Sequence, residues 1–320
     1  MQYGGKNILL IDLGGTNLRA AFGSRDGIDL DAIQKIKLDR LDHFYEILEQ
    51  LIASKDEVIE DVVISVAGPK NGDSITMTNR NWVISADDLK ARFNLHNCYL
   101  LNDWEAIAHS LSSLEDQDLK ILKHGKYVTL DRGPKIILGP GTGLGAALYS
   151  KSNNYEYINA TEIGNTQSSV SHYLEVFGIK QNSDFTILED VLSGSGLSKL
   201  YNHLYGEYIT AEEILRRLNE DHDIRSLELI NNYIKCFAIL SSEMALTYNC
   251  TGGVFIAGAM IRSMNDYFKD ELFSNEFLGQ RKTIHKDFLE KIPVFLVQKE
   301  FTPLYGNLNY FLNKSSSNKE

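Results

Sequence analysis

Three short stretches of this chain hold residue types whose spacing could do chemistry. The first is Asp12-Leu13-Gly14-Gly15-Thr16-Asn17, set between apolar runs that end at Ile11 and begin at Leu18. A glycine turn between two strands brings bare backbone N–H groups and a hydroxyl against an anion, because glycine has no Cβ to hold a ligand off. A carboxylate at the strand end, here Asp12, can reach a metal ion bound to that anion. Taken alone, the pattern is equally that of an ordinary glycine hairpin. The second stretch, Gly139-Pro140-Gly141-Thr142-Gly143, also lies between apolar runs, 135–138 and 144–149. Laid over the first, Gly15-Thr16 falls on Gly141-Thr142, Leu18 on Leu144, Ala20-Ala21 on Ala146-Ala147 and Phe22 on Leu148. Two such hairpins imply a duplicated fold whose halves face each other across a cleft. Opposed turns of this kind could clamp a polyphosphate from both sides. The third stretch is Asn102-Asp103, at the end of the apolar run 98–101. Open α/β sheets gather ligands at the carboxyl ends of their strands, so Asp103 is placed to act as a base. Asn102 with Glu105 three residues on also reads as a capping box that opens a helix.

The elements that must position these residues follow from apolar periodicity. Strands are expected at 32–38, 61–66, 98–101, 253–257 and 292–297, and a hairpin from 75–79 with 82–84. The i, i+3, i+4, i+7 pattern marks a helix at 41–54 through Phe44, Ile47, Leu48 and Leu51. A second helix follows Asp103 with Trp104, Ile107, Ala108 and Leu111 on one face. Further helices are expected at 87–93, 170–177, 185–192, 197–205 and 227–248, with a last one near 304–312. Thr210 and Glu213 read as a capping box. Strands alternating with helices give an α/β architecture. At 320 residues two domains are expected, divided where composition turns from strand-rich to helix-rich near residue 108. The polar tail Asn313-Lys314-Ser315-Ser316-Ser317-Asn318-Lys319-Glu320 reads as disordered.

A net charge of −11 argues against nucleic acid, whose backbone requires a basic footprint. The first apolar run is about five residues and is interrupted by Asp12, unlike the ~7–15 of a signal peptide core. No stretch approaches the ~18 apolar residues of a membrane span. Cys98, Cys236 and Cys250 are scattered, with neither zinc-site nor disulfide spacing, which fits a reducing, cytoplasmic setting.

With these motifs in order, the chain resembles bacterial-type ATP-dependent glucokinases of the actin–hexokinase superfamily over nearly its full length. The resemblance rests on both hairpins, on Ala67-Gly68-Pro69, Met77-Thr78-Asn79 and Leu101-Asn102-Asp103, and on Val191-Leu192-Ser193-Gly194 and the segment 252–258. It implies a two-domain actin-like ATPase (ribonuclease H-like) fold with an interdomain cleft. The expected domains are 1–108, completed by a helix at about 300–313, and 109–299, with a tail at 314–320. The implied activity is ATP-dependent phosphorylation of glucose at its 6-hydroxyl, the entry step of glycolysis. Asp103 would be the base, and Asn102, Glu162, Asn165 and Glu189 the sugar ligands. Asp12, Gly14, Gly15, Thr16 and Asn17 would meet ATP and, through water, Mg²⁺. Gly141, Thr142 and Gly143 would hold the phosphates from the other side, and Gly258 would lie at the adenosine. A homodimer is also implied. One position departs from the pattern: the family has Glu, two residues that are usually small, then His, and this chain has Asn165 in place of that His. The departure keeps two alternatives open, a kinase for another hexose and a catalytically weak sugar sensor on the same fold.

Overall fold

The computed structural model describes residues 8–55, 58–78, 80–126, 133–152, 155–167, 170–180 and 183–317. The chain gathers into two compact units, Met1–Leu114 with Phe301–Glu320, and Glu115–Glu300. The first unit runs β1 (Ile8–Leu13), β2 (Asn17–Ser24), β3 (Gly27–Ile28), β4 (Gln34–Lys37), α1 (Leu41–Ala53) and β5 (Asp61–Val66). It continues through β6 (Lys70–Asn71), β7 (Ser74–Thr76), β8 (Val83–Ser85), α2 (Ala86–Phe93), β9 (Asn97–Asn102) and α3 (Asp103–His109). Its main sheet has the order β3-β2-β1-β5-β9, with β4 also paired to β2, while β6, β7 and β8 form a small sheet of their own. Strand β1 lies antiparallel to β2 and parallel to β5, and β5 lies parallel to β9. Every residue of β1 and β5 is buried. Alternation sends Leu9, Ile11, Val62 and Ile64 to a core shared with α1, and Ile8, Leu10 and Val63 to the opposite one. Each such side chain contributes about 1.5–3 kcal/mol by leaving water.

The second unit opens on β10 (Leu119–Lys123), β11 (Lys135–Pro140), β12 (Leu144–Ser152) and β13 (Tyr155–Thr161). It continues through α4 (Val170–Val176), α5 (Gly194–Tyr205), α6 (Ala211–Glu220), α7 (Ile224–Thr247) and β14 (Val254–Ile256). It closes with α8 (Ala259–Ser263), α9 (Asp270–Leu278), α10 (Thr283–Lys291) and β15 (Val294–Val297), before the chain returns to the first unit as α11 (Thr302–Ser317). Its sheet order is β10-β15-β14-β11-β12-β13. Strand β11 is antiparallel to β12 and parallel to β14, and β14 is parallel to β15. The sequence β2-β1-β5-β9 thus recurs as β12-β11-β14-β15, with the same strand directions. The repeat inferred from two glycine turns extends through four strands of each sheet.

Several sequence expectations change. The segment 185–192 is a turn with a short 3-10 stretch at Leu188–Asp190, not a helix, because Asp190 accepts the backbone N–H groups of Thr186 and Ile187. Strands β10 and β13, at the two edges of the second sheet, carry too many polar residues to read as strands. Thr210 caps α6 by accepting from the Glu213 N–H, but the Glu213 carboxylate completes no box and pairs with Arg216 and Arg217 instead. The polar segment expected to be disordered is helical as far as Ser317, and residues 318–320 lie outside the described residues. The 3-10 turn Ser110–Ser113 belongs to the first unit because Asn309 of α11 donates to the His109 carbonyl and to Ser113. The three cysteines are buried free thiols.

Helix α11 packs against α3 so closely that a Cβ on Gly306 would fall 1.6 Å from the Ala106 carbonyl oxygen. Only a displacement of one helix could admit it. Gly306→Ala is therefore expected to destabilise the first unit by the ~1–3 kcal/mol of an overpacked core, or more. Calorimetry should give a lower melting midpoint for this variant. An unchanged midpoint would mean that α11 contributes nothing to holding α3.

Candidate active site

The first glycine turn joins β1 to β2 in the register Leu13↔Leu18, leaving residues 14–17 as the loop. The Gly14 N–H donates to the Asn17 carbonyl at 2.9 Å, and the Leu38 N–H takes the Thr16 carbonyl at 2.9 Å. Asp12 stands opposite Arg19 in the hairpin, and Arg19 Nη1 donates to Asp12 Oδ2 at 2.8 Å. The Ser65 hydroxyl, on neighbouring β5, lies 3.4 Å from Asp12 Oδ1. Burial pushes the Asp12 carboxyl up, and the charge and hydrogen bond of Arg19, with the Ser65 hydroxyl, offset this only in part. The ionised form of a carboxylate in this setting is supported by its partners rather than by water. Neither Arg19 nor Ser65 stood out in the sequence, although Arg19 could have been found from the hairpin register.

Among the described residues no group of three or more acidic, His or Cys side chains gathers to hold a metal by itself. A single strand-end carboxylate such as Asp12 fits a Mg²⁺ that arrives with nucleotide phosphates, since that ion keeps several waters and needs only one or two protein ligands.

At the far side of the same sheet, Asn102 ends β9 and caps α3. Its side-chain oxygen accepts the N–H groups of Trp104 (2.9 Å) and Glu105 (3.2 Å), and Glu105 Oε2 accepts the Asn102 N–H at 3.1 Å. The capping box read from the sequence is present. Asn102 Nδ2 donates to the Gly68 carbonyl at 2.9 Å, which anchors Ala67-Gly68-Pro69 to β9. A Cβ on Gly68 would meet the Thr76 carbonyl oxygen at 2.0 Å, so only glycine fits between these loops. With both lone pairs of its oxygen and one amide hydrogen committed, Asn102 has one N–H left to offer a ligand. Asp103 is the first residue of α3, half-buried, with Oδ1 accepting the Trp104 N–H at 3.1 Å. The first turn of a helix favours negative charge. Asn79, part of the Met77-Thr78-Asn79 motif, lies outside the described residues.

In the second unit the glycine turn joins β11 to β12 in the register Pro140↔Leu144. It is one residue shorter than the first, and Gly141 N–H closes it on the Gly143 carbonyl at 2.8 Å. The position equivalent to Asp12, counted along the strands, is Gly139, so only the first turn carries a carboxylate. The start of α5 braces this turn: the Gly194 N–H donates to the Gly141 carbonyl at 2.9 Å and the Ser195 hydroxyl to that of Thr142 at 3.0 Å. Gly258 begins α8 with φ +126°, where a Cβ would lie 2.8 Å from the Pro140 carbonyl oxygen. Backbone approach at the second turn is thus enough to require glycine there.

Beside that turn the structure brings three expected ligands together. A Cβ on Gly143 or Gly164 would lie 2.6 or 2.9 Å from Glu189 Oε2, so the two glycines form the cradle of this carboxylate. The Leu144 N–H points to the same oxygen at 3.4 Å. Glu162 and Asn165 flank Gly164 on one 3-10 turn, exposed, with Asn165 Nδ2 donating to Glu162 Oε2 at 3.4 Å. Asp190, missed in the sequence, shapes the loop that carries Glu189. Burial raises its carboxyl, but the hydrogen bond from Lys199, the N–H groups of Thr186 and Ile187, and the Lys199 charge outweigh this and hold it below the ordinary range.

A strand-turn-strand unit in each of two like sheets, with carboxylates gathered beside one turn and another at a strand end, defines a sugar kinase of the actin-like ATPase fold. A model of the family described as Glucokinase matches residues 9–314, and the chain belongs to this family of ATP-dependent hexose kinases. It is 31% identical to a glucokinase of Saccharophagus degradans over 312 residues, covering 93% of this chain and 96% of that protein. It is 28% identical to a glucokinase of Colwellia psychrerythraea, covering 94% and 95%. In fold it is similar to the Balamuthia mandrillaris glucokinase crystallised with glucose, with a TM-score of 0.78 at 19% identity over 97% of this chain and 94% of that one.

Asp190→Asn is expected to loosen the Glu189 loop and to raise sugar KM on the order of tenfold, the worth of a hydrogen bond to a charged group, while ATP KM changes little. The sign with pH follows from the depressed carboxyl. Its contribution is complete above the ordinary carboxyl pKa near 4 and is lost as pH falls through the lower folded value. Steady-state kinetics with each substrate varied in turn checks the split. Equal effects on both would remove Asp190 from sugar binding.

Proposed function

We propose that this protein phosphorylates glucose at the 6-hydroxyl with ATP as donor, in the cytoplasm, as a homodimer. The observation that carries the sugar assignment is that the Glu189 carboxylate lies against Gly164, on the turn that also carries Glu162 and Asn165. Ionised carboxylates suit polyols because each accepts two or more hydroxyl hydrogen bonds. Asn102 donates its remaining N–H to the ring. Asp103 accepts the proton of the 6-hydroxyl as its oxygen attacks the γ-phosphorus and ADP departs, the role of the base in phosphoryl transfer. Gly15, Thr16 and Asn17 present backbone and side-chain donors to the terminal phosphates around the turn that Gly14 closes, and Thr142 and Gly143 do so in the second unit around the turn that Gly141 closes. Gly258 leaves room for the nucleoside. Asp12 would hold, through water, a Mg²⁺ arriving with ATP, which would offset the phosphate charge.

A second reading follows from Asn165. Its amide is spent partly on Glu162, it is shorter than the expected His, and it cannot become cationic. The resemblance assigns the hydroxyls at C1 and C2 to that His, so recognition there would differ, which favours a hexose altered at those positions.

Asp103→Asn is expected to lower kcat by the ~10²–10⁴-fold of a general base while sugar binding, measured by calorimetry, is retained. Near-normal kcat would remove Asp103 from the mechanism. A coupled assay with glucose, mannose, fructose and N-acetylglucosamine, run on the protein and on Asn165→His, separates the readings. For a glucokinase, glucose leads in both, and its KM falls by roughly 5–10-fold in the variant, the worth of one neutral hydrogen bond. A different leading sugar in the unaltered protein would establish the second reading, and no phosphorylation of any of them would indicate a sensor.

A further inference from the structure

Arg80 makes a set of contacts that the site described so far does not use. Its Nε donates to the Gly15 carbonyl at 2.6 Å, Nη1 to that of Asp39 at 2.7 Å and Nη2 to that of Leu38 at 2.8 Å. The guanidinium also lies over the Trp82 ring, 4.4 Å from its centroid. One planar group therefore ties three carbonyls from two segments, the glycine turn and the stretch after β4, and is itself held by stacking. Lysine cannot reproduce this, because an ammonium is a point donor without the fork or the flat face.

The consequence falls on the turn. The Thr16 carbonyl is taken by Leu38 and the Asn17 carbonyl by Gly14, so with Arg80 on Gly15 the carbonyls of Gly15, Thr16 and Asn17 are each committed to a protein donor. Among the described residues, no acceptor receives the N–H of Gly15 or Thr16. In a planar trans peptide the carbonyl and the following N–H point to opposite sides, so fixing the Gly15 carbonyl on Arg80 fixes the Thr16 N–H away from it. Without that anchor the Gly15–Thr16 peptide could rotate, since glycine has little steric preference, and offer a carbonyl where an anion requires a donor.

We propose that Arg80 is the positioning residue of the first phosphate turn, holding the Gly15 carbonyl back so that the N–H of Thr16 faces the terminal phosphates of the nucleotide. The inference rests on the reading above that residues 14–17 meet those phosphates. Arg80 does not touch the substrate. It acts through the orientation of one peptide.

Arg80→Lys and Arg80→Met test this in the full chain, with AMPPNP and Mg²⁺ as the binding probe in titration calorimetry and glucose titrated separately. Both variants are expected to bind AMPPNP ~10–100-fold more weakly, the loss of hydrogen bonds to a charged donor. Glucose affinity and the melting midpoint should stay close to the parent's, and ATP KM should rise more than sugar KM. Arg80→Lys keeps the charge and the aliphatic stem, so it serves where the methionine variant fails to fold. Unchanged AMPPNP affinity in Arg80→Lys, or parallel losses of AMPPNP affinity, glucose affinity and melting midpoint, would overturn the proposal. Gly15→Val separates it from the reading beneath. Lost AMPPNP binding in Gly15→Val with retention in Arg80→Lys discards Arg80 alone, whereas retention in Gly15→Val discards the phosphate role of the turn and Arg80 with it.

Discussion

Strands β1 and β5 of the first sheet and β14 of the second are buried at every position, which confines chemistry to the places where they end. A polar side chain midway along β1, β5 or β14 would face packed hydrocarbon and cost several kcal/mol unless paired. At a carboxyl end the same side chain leaves the core without leaving the sheet. Asp12 ends β1 but for one residue, Asn102 ends β9, Gly68 follows β5, and Gly258 follows β14. The recurrence of the β2-β1-β5-β9 order as β12-β11-β14-β15 places the second glycine turn by the same rule.

That rule has a cost at each strand end, and the polar contacts around the candidate residues offset it. Asp12 is tied to Arg19 and Ser65, and Ser65 in turn donates to the Ile11 carbonyl, as does Asn307 from α11. The last helix of the chain therefore reaches the strand that carries the first carboxylate, and packs through Gly306 on the helix that carries Asp103. Asn102 shows the same economy in one side chain. It caps α3, anchors the loop after β5 and retains one donor, so the position of Asp103 is set by backbone hydrogen bonds rather than by its own side chain alone.

What could be read from the sequence was whatever depends on neighbours along the chain. The strand-turn-strand units, the capping box at Asn102 and Glu105, and the long helix at 227–248, seen as α7, are local patterns. The turn at 185–192 was not legible because Asp190 reaches back to Thr186 and Ile187, and a run of apolar residues at helical spacing hid that competition. Strand β13 alternates without a fully buried face, as an edge strand does, and so lacked the apolar signal. Arg80 was invisible for a different reason. Its partners, Gly15 and Leu38, are 65 and 42 residues away, and nothing in its immediate sequence distinguishes it from a solvated arginine.

The departure at Asn165 bears on the two halves of the reaction unequally. On the proposed assignment the phosphate turns and Asp103 draw on residues other than Asn165, so the substitution leaves the transfer machinery intact. On the same assignment sugar holding would be spread over Glu162, Glu189 and Asn102, and the loss of one neutral hydrogen bond among several amounts to ~1 kcal/mol, or up to ~3 where a partner is left unpaired. A general base carries more, ~10²–10⁴ in rate, or roughly 3–5 kcal/mol. Asn165 also remains on Glu162, so the carboxylate keeps a donor that orients it. On the proposed assignment, selection among hexoses is therefore easier to alter than phosphoryl transfer itself, because several weak contacts would hold the sugar and one strong one the reacting hydroxyl.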